Sequence, residues 1–485
     1  MNEPAALTVY AAAGLVFAPL LAAIACWSIV RARVRHAICV AVALLLLGST
    51  LRLTVDAIAS DGLYIALGGH AAPLGIEWAL DGLTLAMLWL VQGVACAVTV
   101  YMIGWRATGS GTVRLVQATW LLLWGGLNGL FLAADLFNMY VTLELTSLAA
   151  VGLAAAGGGR ALRAAMRYLL FALAGSMFFL LGVALAYAET GTLALRFMNG
   201  NLSAASALPL LLGLMIKGAL FPVHGWLPAA HASAPAPASA ALSALVVQAG
   251  VYLLLRLLTG PLAGAWSPLL VQGLAALGTA GIVYGSLQAF RQERLKLIIA
   301  YSTVAQLGYL LLMPALAGLL GWQGAVYHAA LHGFAKASMF LAAGNIADAM
   351  DDDRLDRLAG LDRVLSGNLM VVGICGVSLA GLPPTGGFVA KWWLLSAALD
   401  TGQWPWAVAI GAGGLFTAAY VFRLLAAGMR KPASGLAEPA RRAERLPASR
   451  IWPPYALAFL VVALGFAAEA LLPVLRVAAP QAVLP

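Results

Sequence analysis

Apolar stretches of the length needed to cross a lipid bilayer recur along the whole chain. A transmembrane helix needs about 20 predominantly apolar residues, and about fourteen such stretches follow one another in the 485 residues. Because 62% of the residues are hydrophobic and only 10% are charged, the composition excludes a soluble protein of this size. We therefore predict an all-α polytopic membrane protein. Its spans are residues 5–30, 36–56, 78–103, 113–133, 135–156, 162–187, 206–227, 237–258, 267–289, 294–316, 321–346, 366–399, 405–427 and 451–474.

Basic residues are distributed unequally between the loops that join these spans. Nineteen lie after spans 1, 3, 5, 9, 11 and 13, whereas about four lie on the other side. Cytoplasmic loops carry an excess of Lys and Arg, so we expect a multi-pass protein of the cell (inner) membrane with both termini external. The basic-side residues are Arg31, Arg33, Arg35, Arg106, Arg114, Arg160, Arg163, Arg167, Arg291, Arg294, Arg354, Arg357, Arg363, Arg430, Lys431, Arg441, Arg442, Arg445 and Arg450.

Lys217 lies in the middle of an apolar run. Residues 208–225 read LPLLLGLMIKGALFPVHG, so Gly218 and Pro222 follow the lysine closely. A lysine at mid-membrane depth costs roughly 2.5–3.5 kcal/mol on insertion scales, and such a residue usually marks an ion or proton path. A helix break beside it is typical of a transport site.

Span 12 repeats this combination, since it reads VSLAGLPPTGGFVAKWWLL with Lys391 after the Gly/Pro-rich break. The two broken spans are five apart, and an odd offset makes the second copy enter the membrane from the opposite face, as inverted repeats require. We therefore divide the chain into N-terminal helices 1–3 (1–103), a first inverted repeat of helices 4–8 (104–260), a second of helices 9–13 (261–430), and a cytoplasmic loop with the last helix (431–485).

Other titratable residues lie in the apolar spans. Glu144 is in the middle of span 5, and its depth and charge suit a coupled pair with Lys217; a static structural ion pair is the alternative. His328, His332 and Lys336 recur every four residues on one face of span 11, which suits proton hopping. Interhelical packing is the alternative there. We expect no metal site, because no carboxylate lies nearby in sequence.

Three further residues have weaker signals. Lys296 lies close to the basic side of span 10, where a lysine that extends to the membrane surface is an equal alternative. His224 and His231 flank the end of span 7 in a Pro-rich stretch that could line a water-filled cavity.

The charged stretch 347–363 alternates charged and apolar residues at helical spacing, which predicts an amphipathic surface helix.

Several kinds of site are not expected. Cys26, Cys39, Cys96 and Cys375 all lie in apolar segments without a CxxC pair, so we predict buried thiols rather than disulfides or iron–sulfur ligands. The sequence has no glycine-rich nucleotide motif and no metalloprotease helix. We therefore expect no cofactor, no bound nucleotide, no nucleic-acid partner and no catalytic redox site.

Several long motifs, in this order, resemble the antiporter-like subunit family. That family includes the D and A subunits of Mrp-type cation/proton antiporters, the proton-pumping membrane subunits of respiratory complex I, and their counterparts in membrane-bound hydrogenases. The resemblance covers about residues 75–425 and is greatest to the Mrp D-type or hydrogenase-type subunit. The motifs are DLFNMYVTLEL, IKGALFPVHGWLPAAHASAPAPASAALSALVVQAGVYLLLR, RLKLIIAYSTVAQLGY, YHAALHGFAKASMFLAAG and SLAGLPPTGGFVAKWWLL.

The resemblance implies two inverted five-helix repeats with broken helices 7 and 12. Glu144 and Lys217 match the family's essential pair, Lys391 matches its exit lysine, and the span 11 residues match its central polar axis. Gln248 departs from the pattern, because the family usually has a titratable residue there and an amide carries no charge at ordinary pH.

The function that the resemblance implies is proton movement, with Na⁺ as a candidate counter-ion, inside a larger complex of membrane subunits. Two alternatives stay open. One is a proton-pumping subunit of an NADH-quinone oxidoreductase or hydrogenase. The other is a structural subunit that has lost transport, for which Gln248 is the main support.

Overall fold

The computed structural model describes residues 6–70, 72–105, 110–198, 202–263, 267–316, 318–432 and 435–479; Arg106 lies outside them. Helices dominate these ranges, and a short antiparallel hairpin joins two of them, with strands β1 (Leu63–Ala66) and β2 (Glu77–Leu80). The helices are α1 (Ala6–Ser28), α2 (Ala32–Ser60), α3 (Gly82–Gly104), α4 (Ser110–Leu132), α5 (Leu136–Ala155), α6 (Gly159–Thr190), α7 (Ala204–Lys217), α8 (Leu227–Ser233), α9 (Ala236–Ala241), α10 (Val247–Leu258), α11 (Pro268–Arg291), α12 (Leu295–Leu310), α13 (Leu319–Met350), α14 (Leu361–Val364), α15 (Ser366–Ala380), α16 (Gly386–Asp400), α17 (Trp404–Gly428), α18 (Ala437–Glu444), α19 (Ala448–Phe466) and α20 (Ala468–Arg476).

The all-helical polytopic class is confirmed. Within the described ranges, eleven helical segments are long and apolar enough to cross a membrane, and α7 and α15 are shorter apolar helices. The count of fourteen spans and the division into repeats stay predictions. Asp135 caps the start of α5 by accepting a hydrogen bond from the N–H of Asn138, as expected for an N-cap residue.

The chain leaves the helix at both Gly/Pro-rich sites. α7 ends at Lys217, and Ala219 has a φ of 51°, in the left-handed region. Trp226 donates its indole N–H to the carbonyl of Ile216 at 2.9 Å, so a carbonyl at the end of α7 has a partner beyond the break. At the second break, α15 ends at Ala380, and the next residue, Gly381, has a φ of 84°. Backbone groups freed inside a membrane must find such partners.

The predicted amphipathic helix over 347–363 is wrong. α13 continues to Met350 and ends where Asp351 takes a left-handed φ of 60°. The chain then makes a 3₁₀ turn and the four-residue α14. Leu355, Leu358 and Leu361 are all buried, because the leucines turn inwards at each of these short elements instead of forming one helical face.

The basic loops gather at one end of the molecule, which we call the basic end. A cavity of about 300 Å³ there is lined by residues near the ends of five different helices, Thr112, Gly157, Lys296, Asp348 and Arg450 among them. Loop contacts elsewhere at this end agree, since Arg294 and Arg442 pair with Asp353 and Asp351 at 2.8 and 3.0 Å.

The first and last described helices both contact the end of α2, at the opposite end of the molecule. Thr8 near the start of α1 donates to Asp56 near the end of α2 at 2.7 Å. The N–H of Ala478, just after α20, donates to Asp61 at 3.0 Å. Both ends of the described chain therefore lie on the side away from the basic end.

Candidate functional site

Glu144 and Lys217 form an ion pair at the end of α7. The Lys217 Nζ lies 2.8 Å from the Glu144 Oε1 and 2.7 Å from the Ser147 Oγ, which is one turn further along α5. Ser176 of α6 donates a hydrogen bond to the same Glu144 oxygen. The lysine side chain is 3% exposed and the glutamate side chain 22%, so the carboxylate reaches the surface of the molecule. Their predicted pairing is present in the structure.

The break after Lys217 packs directly against α10. Gly250 of α10 lies so close to Gly218 that an added Cβ would come within 2.5 Å of the Gly218 nitrogen. A π-helical turn, Leu242–Val246, precedes α10. Such turns are frequent at functional sites, and this one ends two residues before Gln248.

A line of side chains, which we call the central row, runs from Lys391 to Gln248. The Lys391 Nζ lies 4.0 Å from the centre of the Tyr309 ring, and that ring lies 5.3 Å from the His328 ring. The rings of His328 and His332 are 6.3 Å apart. The Gln248 Nε2 lies 2.9 Å from the His332 Nδ1. Gln248, the residue that departs from the family pattern, thus contacts the row directly.

Lys336 lies beside this row rather than within it. It is fully buried and donates to the carbonyl of Ile299 at 3.0 Å and to the hydroxyl of Ser302. Lys391 donates to the carbonyl of Leu379 at 2.6 Å. Neither amine pairs with a carboxylate in the described part of the chain. Neutral carbonyl and hydroxyl oxygens accept the hydrogen bonds of the Lys336 and Lys391 amines. Within the described residues, neither amine is therefore held in its charged form by a carboxylate.

Lys296 belongs to the basic end. Its Nζ donates to the carbonyl of Ala234 at 3.1 Å, and the residue lines the cavity of about 300 Å³ together with Asp348. The two Pro-rich-stretch histidines do not line that cavity. His224 packs on the Tyr284 ring at 5.0 Å, and His231 is buried against the Phe340 ring at 4.5 Å.

Among the described residues, no group of three His, Cys, Asp or Glu side chains could hold a metal ion. The four cysteines are free thiols, and Cys96 alone of them is only half-buried. The arrangement that the structure does offer consists of amines, imidazoles, an amide and hydroxyls in contact with one another. All of these groups can form hydrogen bonds, and the amines and imidazoles among them can also gain and lose protons.

Comparison with known proteins decides the family. The sequence profile described as "NADH:quinone oxidoreductase/Mrp antiporter, TM" matches residues 133–417, which is more than half of the chain. The chain belongs to this family. All the candidate residues from Glu144 to Lys391 lie within the matched region.

Individual relatives in the family come from two kinds of complex. The chain is 36% identical to the N subunit of the NADH-quinone oxidoreductase of Desulforudis audaxviator, over 82% of this chain and 83% of the relative. It is 29% identical to the D-type subunit of the Na(+)/H(+) antiporter of Bacillus subtilis, over 74% of each.

Two solved structures match this chain over almost its whole length. A chain of the archaeal membrane-bound sulfane sulfur reductase matches with a TM-score of 0.87 and 27% identity, over 97% of both chains. A chain of the Mrp complex from a Dietzia species matches with a TM-score of 0.83 and 25% identity, over 98% of both. Both structures are multisubunit membrane complexes.

The sequence reasoning missed one polar face of this family member. Ser302, Gln306 and Tyr309 of α12 lie on the side that meets Lys336, His328 and Lys391, with the His328 Nε2 3.2 Å from the Gln306 carbonyl. Their spacing of four and three residues is a helical signal. This spacing is present in the motif RLKLIIAYSTVAQLGY, where the three residues, unlike Lys296, are uncharged.

Proposed function

We propose that this chain is a proton-translocating, antiporter-like subunit of a multisubunit membrane complex, most like the D-type subunit of an Mrp-type cation/proton antiporter. The observation that carries the proposal is the ion pair between the buried Lys217, at the end of the broken helix α7, and the half-buried Glu144. Ionisable residues inside a membrane are costly and usually mark an ion or proton path, and a broken helix beside them is typical of a transport site.

In this proposal, protons pass between Lys217 and Lys391 by way of Gln248, His332 and His328. Lys336 exchanges protons with this row, and Lys296 supplies it from the basic end. His224 and His231 border the path near the break. Other membrane subunits are the partners, and Na⁺ is the candidate counter-ion.

The pair can be tested by transport in membrane vesicles that contain the whole complex. Glu144→Ala and Lys217→Ala should each reduce proton transport to the level of vesicles without the complex, because each leaves the other charge without its 2.8 Å partner. Because the two residues act as a unit, the double variant should be hardly worse than either single variant.

Matched controls remove the same groups elsewhere. Lys431→Ala and Glu469→Ala change an exposed lysine and an exposed glutamate outside the site, and both should transport normally. Subunit content is measured for every variant, so that failed assembly is not read as failed transport. Normal transport by assembled Lys217→Ala would refute the proposed role. If all of the site variants transport normally, the chain is better explained as a structural subunit.

A second candidate is a proton-pumping subunit of a redox-driven complex. The 36% identity to an NADH-quinone oxidoreductase subunit and the TM-score of 0.87 to a sulfane sulfur reductase subunit favour it. The same residues would then move protons, with energy from electron transfer in partner subunits. Affinity purification of the tagged chain under mild conditions separates the two candidates. Copurifying antiporter subunits support the first, and copurifying flavin or iron–sulfur proteins support the second.

A further inference from the structure

A second cavity at the basic end, of about 840 Å³, concentrates positive charge. We call it the arginine cavity, because it is lined by Arg160, Arg163 and Arg167 of α6 and by Arg294. Arg294 is neutralised by Asp353 at 2.8 Å. The three arginines of α6 make no ion pair within the described ranges, and none of the described lining residues is acidic. Three guanidinium groups without an acidic partner in the described ranges therefore line the α6 side of one opening.

The backbone beside these arginines is also suited to an anion. Residues 157–159 are all glycine, and Gly158 and Gly159 have φ values of 65° and 43° with open space around their α-carbons. No side chain caps the start of α6. The first N–H groups of a helix have no intrahelical acceptor and carry partial positive charge. They add to the charge of the arginines at the rim of the cavity.

The surface of α6 beyond the cavity is apolar. Leu170, Met177 and Leu181 are 62, 56 and 50% exposed. At 100° per residue they all lie within about 40° of Arg163 around the helix, and Leu181 is about 27 Å further along the axis. A charged pocket at the membrane surface thus continues into an apolar strip that extends through the membrane on the same helix face.

We propose that the arginine cavity binds the phosphate headgroup of an anionic phospholipid, with its acyl chains along the exposed face of α6. Arginine forms paired hydrogen bonds to phosphate oxygens, and basic pockets between helices on the cytoplasmic side bind anionic headgroups. The apolar strip favours a lipid over free phosphate or an acidic protein segment, since only the lipid uses both parts of the surface. The inference does not depend on the proposed transport function.

The test measures lipid retained by the purified complex. Arg163→Gln with Arg167→Gln should lower affinity for phosphatidylglycerol about thirtyfold, because each arginine near a membrane surface contributes several-fold to anionic lipid binding. Arg357→Gln with Arg363→Gln is the matched control. Those two arginines are exposed, make no ion pair in the described ranges and lie away from the cavity. Native mass spectrometry with short-chain phosphatidylglycerol gives the bound fraction.

Two further binding measurements identify the ligand without the Arg163/Arg167 variant. On the wild-type complex, short-chain phosphatidylcholine should bind at least about tenfold more weakly than phosphatidylglycerol, since its headgroup has no net charge. Inorganic phosphate at the same concentration should not displace the lipid. Equal binding of the two lipids, displacement by inorganic phosphate, or unchanged retention by the Arg163/Arg167 variant would overturn the proposal. Arg163→Lys with Arg167→Lys, which keeps the charge, should retain most of the binding.

Discussion

Lys391 illustrates how one residue can serve both fold and site. In a continuous helix the carbonyl of Leu379 would accept from the N–H of residue 383, but Pro383 has no N–H. The Lys391 amine donates to that carbonyl instead, at 2.6 Å. The proline therefore creates the acceptor that positions the lysine. The same amine lies 4.0 Å from the Tyr309 ring, which places it at the start of the central row.

Gln248 is fully buried and tightly held. Its Nε2 also lies 3.1 Å from the carbonyl of Ala329, which makes that nitrogen the donor to both partners. Within the described residues, the Gln248 Oε1 and the His332 Nε2 are buried without a hydrogen-bond partner. Buried polar atoms of this kind are commonly satisfied by ordered water, and an amide can orient water although it cannot store a proton.

Substitutions at Gln248 test whether the proton path crosses this amide. Gln248→Leu should block transport, because an apolar side chain of similar size fills the site and removes the contact with His332. Gln248→Ala should transport with a modest loss, because it leaves room for water. Gln248→Lys, which introduces a titratable residue as the family resemblance implies for this position, should preserve or raise the rate.

Proton flux in reconstituted vesicles compares these variants with the wild-type complex. Leu245→Ala, a buried change one turn away without a polar group, serves as the control for packing effects. If Gln248→Leu transports as well as wild type, the path does not pass Gln248 and the role of the central row is wrong.

At the scale of elements, the end of α7 depends on its neighbour α10. Gly218 closes α7 immediately after Lys217, and Gly250 lets the backbone of α10 approach it. A residue with a side chain at position 250 would push the broken end of α7 away from α10. The position of Lys217 relative to Gln248 is therefore fixed by close backbone packing.

Gly250→Ala should destabilise this arrangement. The new Cβ would lie 2.5 Å from the nitrogen and 2.7 Å from the Cα of Gly218. Overpacking of this kind costs roughly 1–3 kcal/mol. The measurement is the thermal unfolding temperature of the purified complex, followed by transport.

Gly411→Ala is the matched control, since Gly411 lies inside α17 with nothing within 4 Å of an added Cβ. Replacing an unconstrained helical glycine by alanine is expected to be neutral or to stabilise by up to about 1 kcal/mol. A Gly250→Ala protein as stable as the Gly411→Ala protein would show that α7 and α10 do not need this contact.

At the scale of the whole molecule, charge is separated between two ends. Residues from several basic loops line the cavities at the basic end. At the other end two arginines are paired with acidic residues, since Arg196 contacts Glu77 at 2.8 Å and Arg256 contacts Asp81. The excess of Lys and Arg on one side determines orientation in the membrane.

This separation predicts the orientation of the protein. Reporter tags fused at Met1 and at Pro485 should both be accessible from outside intact cells, whereas a tag inserted in the loop near Lys431 should be accessible only after the membrane is opened. Because the terminal tags and the loop tag are expected on opposite sides of the membrane, each shows that the assay distinguishes the two sides. A cytoplasmic signal from either terminus would contradict the orientation.

The fold class, the two helix breaks and the pairing of Glu144 with Lys217 could all be predicted from the amino-acid sequence. These follow from local rules, since the bilayer demands apolar helices of a given length and a charge within it demands a partner. The motifs also indicated the family that the profile match confirms. The orientation, the span count and the roles of the candidate residues stay predictions.

The tertiary structure alone shows which helices pack against one another. That packing assigned Ser302, Gln306 and Tyr309 to the site. These residues of α12 contact Lys336, His328 and Lys391 because α13 and α16 lie against this face of the helix. It replaced the predicted helix over 347–363 by short turns, because buried leucines there meet partners distant in sequence. It also gathered arginines of α6 and the loop before α12 around one cavity. Helical periodicity specifies the faces of each helix, but their pairing depends on contacts between segments far apart in the chain.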